Sequence, residues 1–208
     1  MATNVPWYPE LCYHVYNRGH NRSKIFFNSA NYLFFLDRIT KYVGNWLDVL
    51  AFVLIPNHFH LIVKVKSEPS IINFYKNTYH EKFIDNISLL LSQQLSNMLN
   101  SYAKAINCQE NRSGSIFDGK CQRKLIDTNE YLTCAILYTH MNPLKHKISI
   151  DPLNYQWSSY HLIISNNEIF IDRPRVYQIF NGYDHFIDCH KNYQKYITEK
   201  KIKKYWIE

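Results

Sequence analysis

Glycine is scarce in this chain, with 5 among 208 residues, and none of the five sits in a Gly-rich phosphate-binding loop. Nucleoside-triphosphate and dinucleotide folds therefore lose their usual signature. The cysteines are also 5, an odd number, scattered at Cys12, Cys108, Cys121, Cys134 and Cys189 and never in C-x-x-C spacing. A disulfide framework and a zinc ribbon both fit poorly, and a reducing, cytoplasmic setting fits better. No apolar run approaches the ~18–20 residues that a membrane helix needs. The N-terminal stretch lacks a basic segment followed by an apolar one, so export is not expected. There is no internal repeat and no low-complexity linker.

Several features are present in excess. Lys+Arg number 24 against Asp+Glu 17, a net charge of +7, and aromatic residues reach 16% with Tyr 17. The positive balance makes nucleic acid the first partner to test, and the aromatics suit base stacking as well as a core. Hydrophobic residues at 46% are enough for a sizeable core, and the length fits one domain with decoration.

The order of elements suggests an α+β fold. Residues 11–17 read as a strand stopped by Arg18-Gly19, and 30–43 as a helix. Trp46 to Ile55 and His58 to Lys66 form a hairpin around Pro56-Asn57. The polar segment 67–85, which holds Pro69, reads as an insertion or lid. From Asn86, Ile87, Leu90, Leu91, Leu95, Met98, Leu99, Tyr102 and Ile106 follow a helical repeat. A fourth strand is expected within 115–126, and a helix capped by Asp127 or Thr128 from about Glu130 to Asn142, where Pro143 should stop it. Beyond Pro152 lies a C-terminal extension with a helix capped by Asp172. Strand, helix, strand, strand, helix, strand, helix implies a ferredoxin-like (RRM-like) antiparallel sheet with helices packed on it, followed by a helical extension.

Two features carry chemistry. In Pro56-Asn57-His58-Phe59-His60-Leu61, strand alternation sends His58 and His60 to one face and Phe59, Leu61 and Val63 to the other. Two neighbouring imidazoles can share a divalent cation, although two half-exposed strand histidines without a ligand would give the same pattern. In Tyr138-Thr139-His140-Met141-Asn142-Pro143, Tyr138 and Asn142 are i and i+4 and share a helix face, whereas His140 lies about 200° from Tyr138. A buried tyrosine and a helix-ending asparagine would read alike. A phenol beside a cation held by two histidines is equipment for attack on a phosphodiester. Tyr131 shares the face of Tyr138 and is a rival nucleophile, and Tyr102 reads as core.

These segments resemble the REP-associated tyrosine transposases, single-tyrosine relatives of small insertion-sequence transposases in the His-hydrophobe-His (HUH) endonuclease superfamily. The resemblance runs through Tyr13–Gly19, Val53–Leu61, Arg112–Phe117, Tyr138–Pro143 and Trp157-Ser158-Ser159-Tyr160, in order, over roughly residues 10–200. It implies a catalytic domain at 1–150 with an extension at 151–208 packed on or next to it. Tyr138 would be the nucleophile forming a 5′-phosphotyrosine link. His58, His60 and Asn142 would hold Mg²⁺ or Mn²⁺, while ligand chemistry alone leaves Zn²⁺ open. The implied activity is cleavage and rejoining of single-stranded DNA near hairpin repeats, by a monomer or a homodimer. An inactive nucleic-acid-binding module and a phosphodiesterase using water are the rival readings. Expected DNA contacts are Arg18, Arg22 and Lys24 after the first strand, and Arg112, Lys120, Arg123 and Lys124 around the fourth. The tail residues Lys200, Lys201, Lys203, Lys204, Tyr205 and Trp206 are a further expected grip on the backbone.

Overall fold

A computed structural model describes residues 5–80, 86–165 and 170–194. The expected contacts of the Lys-rich tail lie outside these residues. Strand β1 (Cys12–Arg18) leads through helix α1 (Ser29–Tyr42) to the hairpin of β2 (Leu47–Ile55) and β3 (His58–Val65). Helices α2 (Glu68–Tyr79) and α3 (Ile87–Gln109), strand β4 (Gln122–Ile126) and helix α4 (Asn129–Lys145) follow, and the extension carries α5 (Tyr160–Ile164), α6 (Arg173–Ile179) and α7 (Tyr183–Lys191). The strands form one sheet in the order β2-β3-β1-β4, every neighbour antiparallel. This is the α+β, ferredoxin-like order, in which β3 is inserted between β1 and β2.

Local chemistry sets the element ends. The Asn28 side chain accepts from Asn31 N–H and Asn31 returns the bond, a capping box that starts α1. Thr128 caps α4 and Asp172 caps α6 through their side-chain oxygens. Two expectations are sharpened and one is corrected. The segment expected as an insertion or lid carries a helix over Glu68–Tyr79: Ser67 caps it, Pro69 occupies the first turn where a missing N–H costs nothing, and Ile71 and Tyr75 are buried. The fourth strand, expected within 115–126, occupies Gln122–Ile126 and is preceded by a bridge between Gly19 and Phe117. Pro143 does not end α4, which closes one turn further on with His146 N–H donating to Asn142 O at 3.1 Å.

The two faces of the sheet differ. On the rear face Phe59, Leu61, Tyr13 and Val15 are buried, and Phe35 of α1 lies tilted on Phe59 at 4.9 Å and edge-on to Tyr102 of α3 at 4.9 Å. The front face carries His14, Tyr16, His58 and His60, and α4 lies across it. The extension covers the far side of α4 and the β2 edge, where Leu54 N–H donates to Trp157 O and Ser159 N–H to Phe52 O. A bare edge would invite pairing with other chains, and the extension closes this one. No helix of the described residues is long and apolar enough to cross a membrane.

Candidate active site

The hairpin turn places the first histidine. Asn57 Nδ2 donates to Arg22 O at 3.3 Å, which turns its oxygen toward His58 Nδ1 at 2.7 Å. An amide oxygen only accepts, so Nδ1 carries the proton and Nε2 the lone pair. That lone pair faces Asn142 Oδ1 at 3.2 Å. Asn142 is buried, and its Nδ2 has no partner among the described residues. Turning the amide over would let Nδ2 donate to His58 but would strand the oxygen. In either orientation one buried amide atom wants a partner from outside the protein.

The second histidine is held from behind. His60 Nδ1 lies 2.8 Å from Nε2 of His14, two residues before Tyr16, which is the β1 residue directly opposite His60. The rings of His14, Tyr16 and His60 stack. Burial lowers the His14 pKa to about 3, with help from the Lys124 charge. It also carries His60 well below the usual imidazole range, aided by His14, His58, His146 and Lys145. Both rings are therefore neutral at physiological pH, as a metal ligand must be. Only one proton fits between Nδ1 of His60 and Nε2 of His14. When His60 supplies it, the His60 Nε2 lone pair is left for the cleft, the arrangement a carboxylate or carbonyl usually enforces on a ligating histidine.

Tyr138 meets His60 edge-on, with ring centroids 6.2 Å apart, and its hydroxyl accepts from Lys145 Nζ at 3.0 Å. His146 packs against His58 at 4.5 Å. Tyr138, His58, His60, His146, Tyr16 and Asn57 line one cleft of about 820 Å³, with Arg18 and Arg22 also on its wall. The i, i+4 spacing thus delivers Tyr138 and Asn142 together, from a helix about 80 residues downstream of the histidine strand. Tyr131 is buried on the same helix, 2% exposed, and Tyr102 is core, its hydroxyl bonded to Ile25 O.

The expected DNA-binding cations divide. Arg18 is tied to Asp118 at 2.8 Å on the cleft wall, Arg22 lies beside it, and Lys124 reaches over the Tyr16 ring. Lys24 and Lys120 are exposed but outside the cleft lining, and Arg112 donates to Ser115 O. Arg123 is corrected: it pairs with Val15 in the register, so it points to the rear face, where it bonds Val5 O and covers the Trp7 ring. Sequence reasoning missed His14, His146 and Lys145. His14 had a signal, because strand alternation puts it on the face of Tyr16, but that face acquires meaning only once β1 is known to pair with β3.

Among the described residues no group of three or more His, Cys, Asp and Glu side chains is arranged to hold a metal ion by itself. The donor set is two imidazoles and a carboxamide, and it fits a hard or borderline divalent cation that keeps further positions for water and substrate oxygen.

A ferredoxin-like sheet with a His-x-His strand at its centre and a tyrosine-bearing helix across the same face defines an architectural class. No protein-family model matches the sequence, and no curated protein matches it. Among solved structures, that of a REP-associated tyrosine transposase bound to a REP hairpin matches with a TM-score of 0.58, at 13% identity, over 78% of this chain and 84% of that one. The two share a fold.

Proposed function

We propose that the chain is a metal-dependent single-tyrosine DNA transposase or endonuclease that cleaves and rejoins single-stranded DNA near hairpin-forming repeats. The observation that carries this reading is the meeting of Tyr138, His58 and His60 at one cleft from two distant segments, with the buried Asn142 at 3.2 Å from His58 Nε2. The fold shared with a transposase that was solved on a REP hairpin supports it.

Tyr138 Oη attacks the scissile phosphorus. A Tyr–O–P bond forms, the bond to the 3′ oxygen breaks, and a free 3′-OH leaves. The phosphotyrosine keeps the bond energy, so rejoining needs no nucleotide hydrolysis. Lys145 Nζ, already bonded to the phenol, stabilises negative charge on the attacking oxygen. His58, His60 and Asn142 would hold Mg²⁺ or Mn²⁺, a cation that would supply polarisation of the phosphate and charge compensation there. Arg18, Arg22 and Lys124 grip the strand, and Tyr16 offers a ring beside it. The five cysteines form no disulfide among the described residues, which suits a cytoplasmic enzyme. Either a monomer or a homodimer satisfies this mechanism, because one chain brings all four residues together.

The test mixes the protein with a labelled hairpin-bearing single strand and Mn²⁺ and reads a denaturing gel for a covalent adduct. An adduct that disappears in Tyr138→Phe is the expected result. Cleavage without an adduct would assign the attack to water, and binding without cleavage would leave a nucleic-acid-binding module.

A further inference from the structure

A second histidine pair lies behind the tyrosine helix, and no step of the proposed chemistry uses it. His140, Ser159 and His190 are all at most 1% exposed. His190 Nδ1–H donates to Phe186 O at 2.7 Å, a carbonyl that can only accept. His190 Nε2 must then accept, so His140 Nδ1–H donates to it at 2.7 Å. His140 Nε2 accepts in turn from the Ser159 hydroxyl at 2.7 Å, and Ser159 Oγ accepts from Phe52 N–H at 2.8 Å. One carbonyl at the end thus fixes the direction of every proton. Both rings are neutral, in keeping with a pKa lowered by burial to about 4 for His190 and well below the ordinary value for His140. Ser159 also donates its backbone N–H to Phe52 O at 3.0 Å, so it grips β2 at two points.

The place of His140 gives this chain its meaning. Tyr138 precedes it by two residues and Asn142 follows it by two, each about 200° away around α4. The two front-face residues are therefore held by what His140 does on the back. Side-chain tips lie about 6 Å from a helix axis, so a turn of roughly 20° would move the phenol about 2 Å. A misplacement of about 1 Å is enough to cost roughly a hundredfold in rate. The segment Trp157-Ser158-Ser159-Tyr160, to which the proposed chemistry gives no role, supplies the fixed end of the latch.

We infer that the His190–His140–Ser159–Phe52 chain is a positioning latch by which the C-terminal extension sets the rotation of α4, and with it the placement of Tyr138 and Asn142 against the histidines of β3. His140 and Ser159 are positioning residues that touch neither DNA nor metal. As far as the reaction rate is concerned, the inference rests on Tyr138 being the nucleophile.

The test has two readouts. Incorporate 3-fluorotyrosine at position 138, with a second preparation labelled at position 102 in the rear core, and record ¹⁹F spectra of the whole chain. Ser159→Ala, which removes one link without adding bulk, should shift or broaden the resonance at 138 and leave that at 102 in place. In parallel, adduct formation at saturating hairpin DNA and Mn²⁺ should fall at least about tenfold, while DNA affinity stays within about twofold. His140→Leu should do the same, and His140→Gln, which keeps a donor and an acceptor, should recover most of the loss. Should one variant fail to fold, the other carries the comparison. A resonance at 138 unmoved in folded Ser159→Ala and His140→Leu overturns the latch. A resonance that moves in a protein whose wild type forms no adduct supports the latch and removes Tyr138 as nucleophile.

Discussion

Two pairs of histidines are joined ring nitrogen to ring nitrogen in this molecule, His14 with His60 at 2.8 Å and His140 with His190 at 2.7 Å. Their surroundings differ in one respect. Around the second pair each ring nitrogen has a partner, and the chain of donors runs from a backbone carbonyl to a backbone amide. Around the first pair, His14 Nδ1 and the nearby Asn142 Nδ2 have no partner among the described residues, and His60 opens on a cleft. A satisfied network holds a structure together, whereas an unsatisfied one in a cleft is waiting for a ligand. Both pairs are buried and neutral, so neither burial nor charge would have told them apart.

The largest effect that would break this contrast is on the reaction. His60→Ala should lower adduct formation about 10³-fold, the several kcal/mol that a bound cation contributes to a phosphoryl transition state. His190→Leu should instead show first in denaturant unfolding, losing about 1–3 kcal/mol because His140 Nδ1–H is left buried without an acceptor. Equal losses of stability in the two variants would erase the distinction.

Acid should strain both pairs. The folded pKa values of His14 and His190, about 3 and about 4, lie below the ordinary 6.5, so the unfolded chain takes up protons first as the pH falls. Stability is thus fully present above about pH 6.5 and is lost as the pH drops toward 4, at up to roughly 1.4 kcal/mol per unit for each such histidine. Urea midpoints measured from pH 7 to 4 should show this fall, and His190→Gln should flatten the slope by one histidine's share. A slope unchanged by that substitution would mean that His190 is not held neutral.

The next effect is smaller and belongs to the open pair alone. Asn57 fixes the proton on His58, so Asn57→Ala should weaken Mn²⁺ binding about 10- to 100-fold in a direct titration, with the melting temperature little changed. Unaltered affinity would show that the tautomer is set elsewhere. The smallest effect separates the two faces of the sheet. Lys124→Ala should reduce the slope of log K against log salt for single-stranded DNA by about 0.7, and Arg123→Ala should not change it. Equal slopes in the two variants would contradict the placement of Arg123 behind the sheet.

Much of this was legible in the sequence because it depends on short periods. Alternation along His58-Phe59-His60-Leu61 separated the site from the core, and i, i+4 spacing put Tyr138 with Asn142. The long stripe of α3 was equally plain, since its other face is solvated. Helix α2 escaped because only Ile71 and Tyr75 are buried on it and Pro69 reads as a breaker unless its position in the first turn is known. The partners of His140 escaped for another reason. They lie 19 and 50 residues away, and such pairings are decided by how the extension packs, which no local pattern records.

Helix α4 is buried without interruption from Tyr131 to Pro143, because the sheet occupies one side and the extension the other. An amphipathic helix ordinarily keeps a stripe of solvent-facing positions at which replacement is nearly neutral. This helix has no such stripe in its central turns. Its tolerance of mutation should therefore lack the familiar three-to-four-residue rhythm and form a continuous block of sensitive positions. The segment that bears the proposed nucleophile would then be the one least free to drift, constrained by packing as strictly as by chemistry.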